Sequence, residues 1–238
     1  MPLLSSLLCR NRQPEVMDQP GLDPVAHEHA LRDLARINWW SRSASILWPT
    51  IRAHALKTQR PLRVLDVATG AGDVPIGLLN RAKRAGLALE MSACDISETA
   101  LHYAQKRATA AGVAIRFFHH DILTNPLPPG GFDIVTSSLF LHHLGEADAV
   151  VVLQRMQASA TRGILVNDLE RNRIGYIMAW IGTRILSRSP VVHVDGPLSV
   201  RGAFSITEAL TLAEQAGLRG AKLSRHWPFR FLLSGVRS

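Results

Sequence analysis

The chain has 238 residues, 47% hydrophobic and 19% charged. This balance excludes a disordered polymer and supplies apolar material for one large domain or two small ones. Its two cysteines, Cys9 and Cys94, exclude a disulfide framework and point to a reducing, cytoplasmic setting. The net charge of +8 would admit nucleic acid or anionic lipid as a partner. The basic residues are dispersed, however, with no basic block and no interleaved aromatic strip, so a solvated surface is favoured and no nucleic-acid partner is expected.

The opening segment is apolar but short, and its first positive charge follows the apolar run instead of preceding it. Residues 1–21 therefore read as a flexible end and not a secretory leader. Residues 22–60 read as a helical lid. Leu31, Leu34 and Ala35 recur at helical spacing, as do Ile46, Leu47 and Ile51, with Pro49 expected to start or kink a helix and Trp39 and Trp40 lying between.

From Arg63 the pattern changes to strict alternation. A short apolar run, RVLDVA, ends in the glycine-rich turn TGAGD, and a helix follows to Gly86. LALEMSACD reads as a second strand. A helix capped by Ser97 or Thr99 runs to Gly112, and VAIRFFHHD is a third strand. GFDIVTSSLFL follows a turn-rich stretch as a fourth, then a helix over 145–160, then the strand RGILVNDLE. Alternation at this spacing predicts right-handed βαβ units and a parallel sheet covered on both faces. Beyond it, VVHV is the one strand candidate within 171–205, SITEALTLAEQAG is a helix, and AKLSRHW with FRFLLSGVR reads as a hairpin through Pro228 that adds an antiparallel strand. The fold class is α/β, Rossmann-like and doubly wound, with residues 61–238 as one domain carrying an insertion at 171–205.

In such a sheet ligands bind beyond the carboxyl ends of the strands. Asp66, Ala68, Gly70, Ala71 and Gly72 lie after the first strand, where glycines admit a ligand to the backbone and the next helix offers free N–H groups. A dinucleotide fingerprint would place a third glycine where this chain has Pro75, which counts against a nicotinamide oxidoreductase. Asp95, followed by Ile96, ends the second strand and is placed to accept ribose hydroxyls. Asp121 and Ile122 follow the third, where an aspartate and an apolar neighbour suit an adenine; an ordinary turn aspartate is the competing reading.

Taken together, VLDVATGAGD, CDIS, HHDI and GFDIVTSSLFLHHL resemble, in order, the motifs of class I S-adenosylmethionine-dependent methyltransferases over about residues 60–225. Their style is closest to the C-methyltransferases of ubiquinone and menaquinone biosynthesis. The resemblance implies S-adenosylmethionine as cofactor. Gly70, Ala71 and Gly72 would lie along its methionine part, Asp95 at its ribose, Asp121 and Ile122 at its adenine, and Ser138 near the sulfonium. The chain departs from the quinone enzymes beyond strand four, where His142-His143 replaces their Arg-Asn.

The expected reaction is O- or C-methylation of a small lipophilic or aromatic acceptor, a polyketide, phenol or quinone precursor. The alternatives are methylation of RNA or protein and hydride transfer on the same sheet. Histidine is the natural base near neutral pH, so His143 or Asp168 is the expected catalytic residue and His142 a substrate contact. No metal is expected, because the pairs 119–120 and 142–143 lack ligand spacing. In the insertion Ile174, Ile177, Met178, Ile181 and Ile185 make one helical stripe beside Trp180. Core packing is the default reading; with Trp39 and Trp40 the stripe would also serve as an apolar lid over the acceptor, with Trp180 as a contact. The same helix, through its arginines, suits peripheral contact with anionic lipid.

Overall fold

The computed structural model describes residues 7, 9–16, 23, 29–33 and 42–236. A helix α1 (Ser43–Ala55) precedes the alternating core β1 (Leu62–Val67), α2 (Asp73–Arg84), β2 (Leu89–Asp95), α3 (Glu98–Ala110), β3 (Arg116–His119), β4 (Phe132–Ser138), α4 (Glu146–Ser159) and β5 (Ala160–Leu169). The chain then forms α5 (Arg173–Leu186), α6 (Pro190–Gly202), α7 (Ile206–Gln215), β6 (Lys222–His226) and β7 (Arg230–Val236). The seven strands lie in the order β3-β2-β1-β4-β5-β7-β6. β1 to β5 are parallel, and β7 runs antiparallel to both β5 and β6.

The apolar runs of the strands are continuous because both faces are covered. Leu65, Val67, Val135, Val166, Phe231 and Leu233 turn to one face and pack with residues of α4 and α7. Val64, Ile134, Leu165 and Leu232 alternate to the other and meet Leu47 and Ile51 of α1 and Leu78 of α2. Segment 22–60 is therefore only partly the lid expected. Its apolar stripe Ile46, Leu47, Ile51 is buried on the sheet, and α1 is a core helix that continues through Pro49. Leu31 reaches the site, Asp33 instead accepts from the Ser187 hydroxyl and the Arg188 N–H, and Trp39 and Trp40 lie outside the described residues.

Two further expectations are corrected. VVHV is helical, not a strand. Pro190 occupies the first turn of α6, where a missing N–H costs nothing, and Pro197 would interrupt a strand ladder. The sheet edge beyond β5 is already taken by β7. Within the segment expected to be flexible, the described residues 10–16 are held. Arg10 lies 3.7 Å over the Phe204 ring and donates to the carbonyls of Gly202, His142 and Leu144 at 2.6, 3.1 and 2.6 Å. The backbone N–H of Asn11 donates to Arg201 and that of Val16 to the Asp195 carboxylate. These bonds strap residues 10–16 across α6 and the turn that follows β4.

Candidate active site

The carboxyl ends of the parallel strands open into one cavity of about 1040 Å³. Its floor is built by the turn after β1. Gly70 has φ 52° and Gly72 φ 70°, which favours glycine at both. A Cβ on Gly70 would meet nothing, so its face is open. A Cβ on Gly72 would stand 3.0 Å from the Ala104 Cβ, so Gly72 permits the close approach of α2 to α3 and does not line the cavity. Ala68 adopts φ 54° without being glycine, a local strain that turns the chain at the strand end.

The strand-end acids hold the loops and face the same space. Asp95 accepts the Gly70 N–H at 2.8 Å and the Ser97 N–H at 2.9 Å, tying the glycine turn to β2. A carboxylate has further lone pairs to offer ribose hydroxyls. Asp121 accepts from Leu123 N–H and the Thr124 hydroxyl at 2.8 and 2.9 Å. Ile122 is buried below the rim, while Ile96 is held out at the cavity edge, 61% exposed. Asp66 is buried and accepts from the Thr69 and Thr136 hydroxyls at 2.8 and 2.7 Å. Burial pushes its carboxyl up to about 7, against the two hydroxyl bonds, which lower it. Asp66, Ala68, Gly70, Ala71, Asp95, Ile96, Asp121, Ile122 and Ser138 all line the cavity.

The opposite half of the cavity is apolar. Met178, Ala179, Gly182 and Leu186 on one face of α5 line it, with Phe229 from the turn before β7. The stripe expected from sequence is thereby divided. Ile181 and Ile185 border the cavity but remain 44% and 75% exposed, while Ile174 and Ile177 point outward. Trp180 also sits on the outer face, stacked 4.0 Å from the Arg184 guanidinium and not among the lining residues. The lining face follows the small residues Gly175, Ala179 and Gly182, and Gly175 brings α5 close to the turn at Phe229.

Between the two halves lies a polar group. A one-turn 3₁₀ helix, Leu141–His143, follows β4 and presents His142, 4% exposed. Asp168 at the end of β5 accepts the His142 backbone N–H at 3.3 Å and pairs with Nδ1 of its ring at 2.6 Å. The Asp168 carboxylate also accepts the Leu169 N–H and is itself 1% exposed. Although burial raises its pKa, the neighbouring His142 outweighs this and holds Asp168 below the ordinary carboxylate range. Asp168 thus acts on the site through His142, and it is His142 that lines the cavity. His143, 22% exposed on its side chain, lines the cavity too, its ring centroid 4.3 Å from that of His142.

Sequence reasoning missed Glu15. The strap carries it into the cavity wall, 7% exposed, where the Ser199 hydroxyl donates to Oε1 at 2.5 Å. Oε1 lies 3.6 Å from His142 Nε2 and Oε2 lies 3.9 Å from His143 Nε2. Only the fold makes neighbours of residues so far apart in the chain. Arg230 was missed as well. It lines the cavity from β7 and donates to the Ser43 hydroxyl, and burial lowers its guanidinium to about 10.

Comparison with known proteins agrees with this geometry. Residues 64–163 match the methyltransferase-domain family. Over this stretch the chain is similar to methyltransferase domains. A demethylmenaquinone methyltransferase of Thermus thermophilus is 31% identical over 127 residues, 53% of this chain and 56% of the relative, so the match spans little more than half of that protein. A ubiquinone/menaquinone biosynthesis C-methyltransferase of Paraburkholderia phymatum is 28% identical over 185 residues, 74% of each chain. The magnesium protoporphyrin IX methyltransferase of Synechocystis, solved with S-adenosylhomocysteine, superposes with a TM-score of 0.58 at 16% identity, covering 93% of this chain and 91% of that one. A methyltransferase from Aquifex aeolicus gives 0.57 at 18%, covering 90% of this chain and 97% of its own. These likenesses show the fold. The nicotinamide reading is set aside, with Pro75 in the first turn of α2.

Proposed function

We propose that this protein transfers the methyl group of S-adenosylmethionine to a small apolar or aromatic acceptor, a phenol, polyketide or quinone precursor. One observation carries the reading. A single cavity joins the glycine turn and strand-end acids to an apolar wall from α5, with the Glu15–His142–His143 group at their junction. At about 1040 Å³ it lies at the upper end of the roughly 300–1,000 Å³ usual for one ligand, which suits a cofactor and an acceptor held together. The names of the quinone-pathway relatives favour the same acceptor class.

The cofactor would lie along Gly70 and Ala71, its ribose at Asp95, its adenine between Asp121 and Ile122, and its sulfonium towards Ser138. The sulfonium supplies the leaving group; the protein supplies alignment, exclusion of water and a place for the acceptor's proton. The enclosed apolar wall serves the first two. The polar group at the junction serves the third, with Asp168 fixing the ring of His142.

The test is calorimetry with S-adenosylhomocysteine, followed by incubation of the protein with methyl-labelled cofactor and an extract of small lipophilic metabolites, read by mass. Binding and a labelled product extractable into organic solvent are expected. Absence of binding to folded protein would overturn the reading, as would label recovered only in RNA or protein.

A further inference from the structure

We infer that Glu15, His142 and His143 form a site for one divalent transition-metal ion of the zinc type, which holds the acceptor's oxygen beside the sulfonium. The inference deepens the proposed function and rests on it for the ion's role, but not for its binding.

The geometry is that of ligands facing a shared centre. One atom each of Glu15, His142 and His143 lie within 4.8 Å of one another. The two carboxylate oxygens face the two imidazoles separately, at 3.6 and 3.9 Å. Both separations exceed the hydrogen-bond range of about 2.7–3.2 Å. They approach the edge of a tetrahedron about a zinc ion, about 3.4 Å for ligand bonds near 2.1 Å. The ring of His142 meets Asp168 through Nδ1 at 2.6 Å. In the neutral ring that donates to Asp168 there, Nε2 presents its lone pair towards Glu15. Carboxylate–histidine pairs of this kind orient the ligating imidazole and raise its basicity.

Charge points the same way. Glu15 is 7% exposed, and burying a carboxylate is costly without a compensating cation. The described guanidinium groups of the strap are engaged with backbone carbonyls. Those of Arg10 and Arg12 donate to backbone carbonyls of His142, Leu144, Gly202 and His143. Arg230 lies towards Asp168 from β7. Two neutral imidazoles and one carboxylate leave open positions on a divalent ion, and the site opens on the cavity, so an acceptor hydroxyl can complete the coordination. As ligands the three residues no longer take up the acceptor's proton themselves; on coordination the ion acidifies the hydroxyl, and its proton leaves to solvent. The oxygen's electron pair then forms the new bond to the methyl carbon while the carbon–sulfur bond breaks, and its electrons leave with S-adenosylhomocysteine. The ion changes no oxidation state.

The test uses the full, untagged chain and the metals alone. Metal-free protein is titrated with zinc chloride by calorimetry, and with cobalt(II) by visible absorption, which reports ligand geometry. One ion per chain and intense cobalt d–d bands are expected. Asp168→Asn should weaken binding by roughly 10- to 100-fold, and Glu15→Gln and His143→Ala by more. His102→Ala, on the exposed face of α3, should leave it unchanged. S-adenosylhomocysteine affinity, measured in parallel, confirms that each variant is folded and separates this inference from the proposed function. If wild-type protein binds S-adenosylhomocysteine but takes up neither ion, or if the Glu15 and His143 variants bind zinc as wild type does, the site is not a metal site.

Discussion

At the scale of single residues the strand-end acids divide into two kinds, and titration tells them apart. Burial holds the Asp66 carboxyl at about 7 in the fold, whereas an unfolded aspartate titrates near 3.9. For an acid whose folded pKa is raised, the protonated form favours the fold. Asp66 therefore opposes unfolding least where it is charged: stability falls as pH rises from about 4 to 7 and the loss is complete above that window. Asp66→Asn is expected to stabilise the ligand-free protein at pH 8 relative to wild type and to leave pH 4 stability nearly unchanged, as read by thermal melts at both values. The ammonium of a bound methionine moiety would favour the charged carboxylate. Cofactor binding near neutral pH should then release a proton, seen as a buffer-dependent heat in calorimetry. Asp95 and Asp133 give a second contrast. Asp133 begins β4 at the opposite end from the cavity, and Arg60 grips both its oxygens at 2.7 Å. Asp95→Ala should weaken S-adenosylhomocysteine by roughly 10- to 100-fold, the loss of charge-assisted bonds worth about 1.5–3 kcal/mol. Asp133→Ala should lower the melting temperature and spare the cofactor; with Arg60 half exposed, the loss falls below the roughly 3–5 kcal/mol of a fully buried pair. Equal cofactor affinities in the two variants would contradict this placement. These acids were legible in the sequence because a parallel strand ends at a definite residue and the next residue must face the ligand edge. Asp168 was legible as a strand-end acid but not in its role. Its partner His142 comes from another strand's turn, and only their register places the two together.

At the scale of elements the apolar insertion was recognisable, but not the face it presents. Helical period selects Ile174, Ile177, Met178, Ile181 and Ile185 as a stripe, yet α5 packs by its small residues. Gly196 of α6 lies so close to Thr183 that a Cβ there would stand 2.4 Å from the Thr183 Cγ2. That contact, and Gly175 against Phe229, set the rotation of the helix and leave the bulkier aliphatic edge outside. Hydrophobic periodicity reads size and polarity and is blind to a helix that is buried by its glycines. The same limit explains VVHV, whose β-branched residues suit a strand until Pro190 and Pro197 and the occupied sheet edge are counted. A test follows from Gly182, which lines the cavity and where an added Cβ meets nothing within 4 Å. Gly182→Leu fills acceptor space while improving helix propensity by about 1 kcal/mol, so lost turnover could not be ascribed to unfolding. The acceptor KM is expected to rise about tenfold or more, with S-adenosylhomocysteine affinity unchanged. Trp180→Ala, on the outer face, should alter neither constant. A KM that moves with Trp180 and not with Gly182 would place the acceptor on the outer face instead.

At the scale of the whole molecule the alternating core was the most legible part, since βα alternation, right-handed crossover and covered faces admit few arrangements. What closes the site was not legible, because it is assembled from segments with no pattern of their own. Residues 10–16 carry no periodicity, yet they deliver Glu15 to the histidines and lie along the turn that positions His142. Arg10 is the fastening. It joins the carbonyls of Gly202, His142 and Leu144 and stacks on Phe204, so it ties the strap, the turn after β4 and the end of α6 in one place. Its loss leaves three carbonyls to find water and frees the strap to lift, carrying Glu15 with it. Hydrogen bonds to a charged donor contribute about 1.5–3 kcal/mol, and these share one guanidinium, so Arg10→Ala should cost on the order of one such bond or somewhat more. For a chain of this size each kcal/mol lowers the melting temperature by about 2–4 °C. A drop of several degrees is therefore expected in the thermal melt. Because the glycine turn, Asp95 and Asp121 are anchored by β1, β2 and β3 and not by the strap, S-adenosylhomocysteine should bind the variant as it binds wild type. Methyl transfer should fall well beyond the loss of folded protein at the assay temperature. A variant that keeps full turnover while melting earlier would show that the strap serves stability alone and that Glu15 reaches the histidines without it.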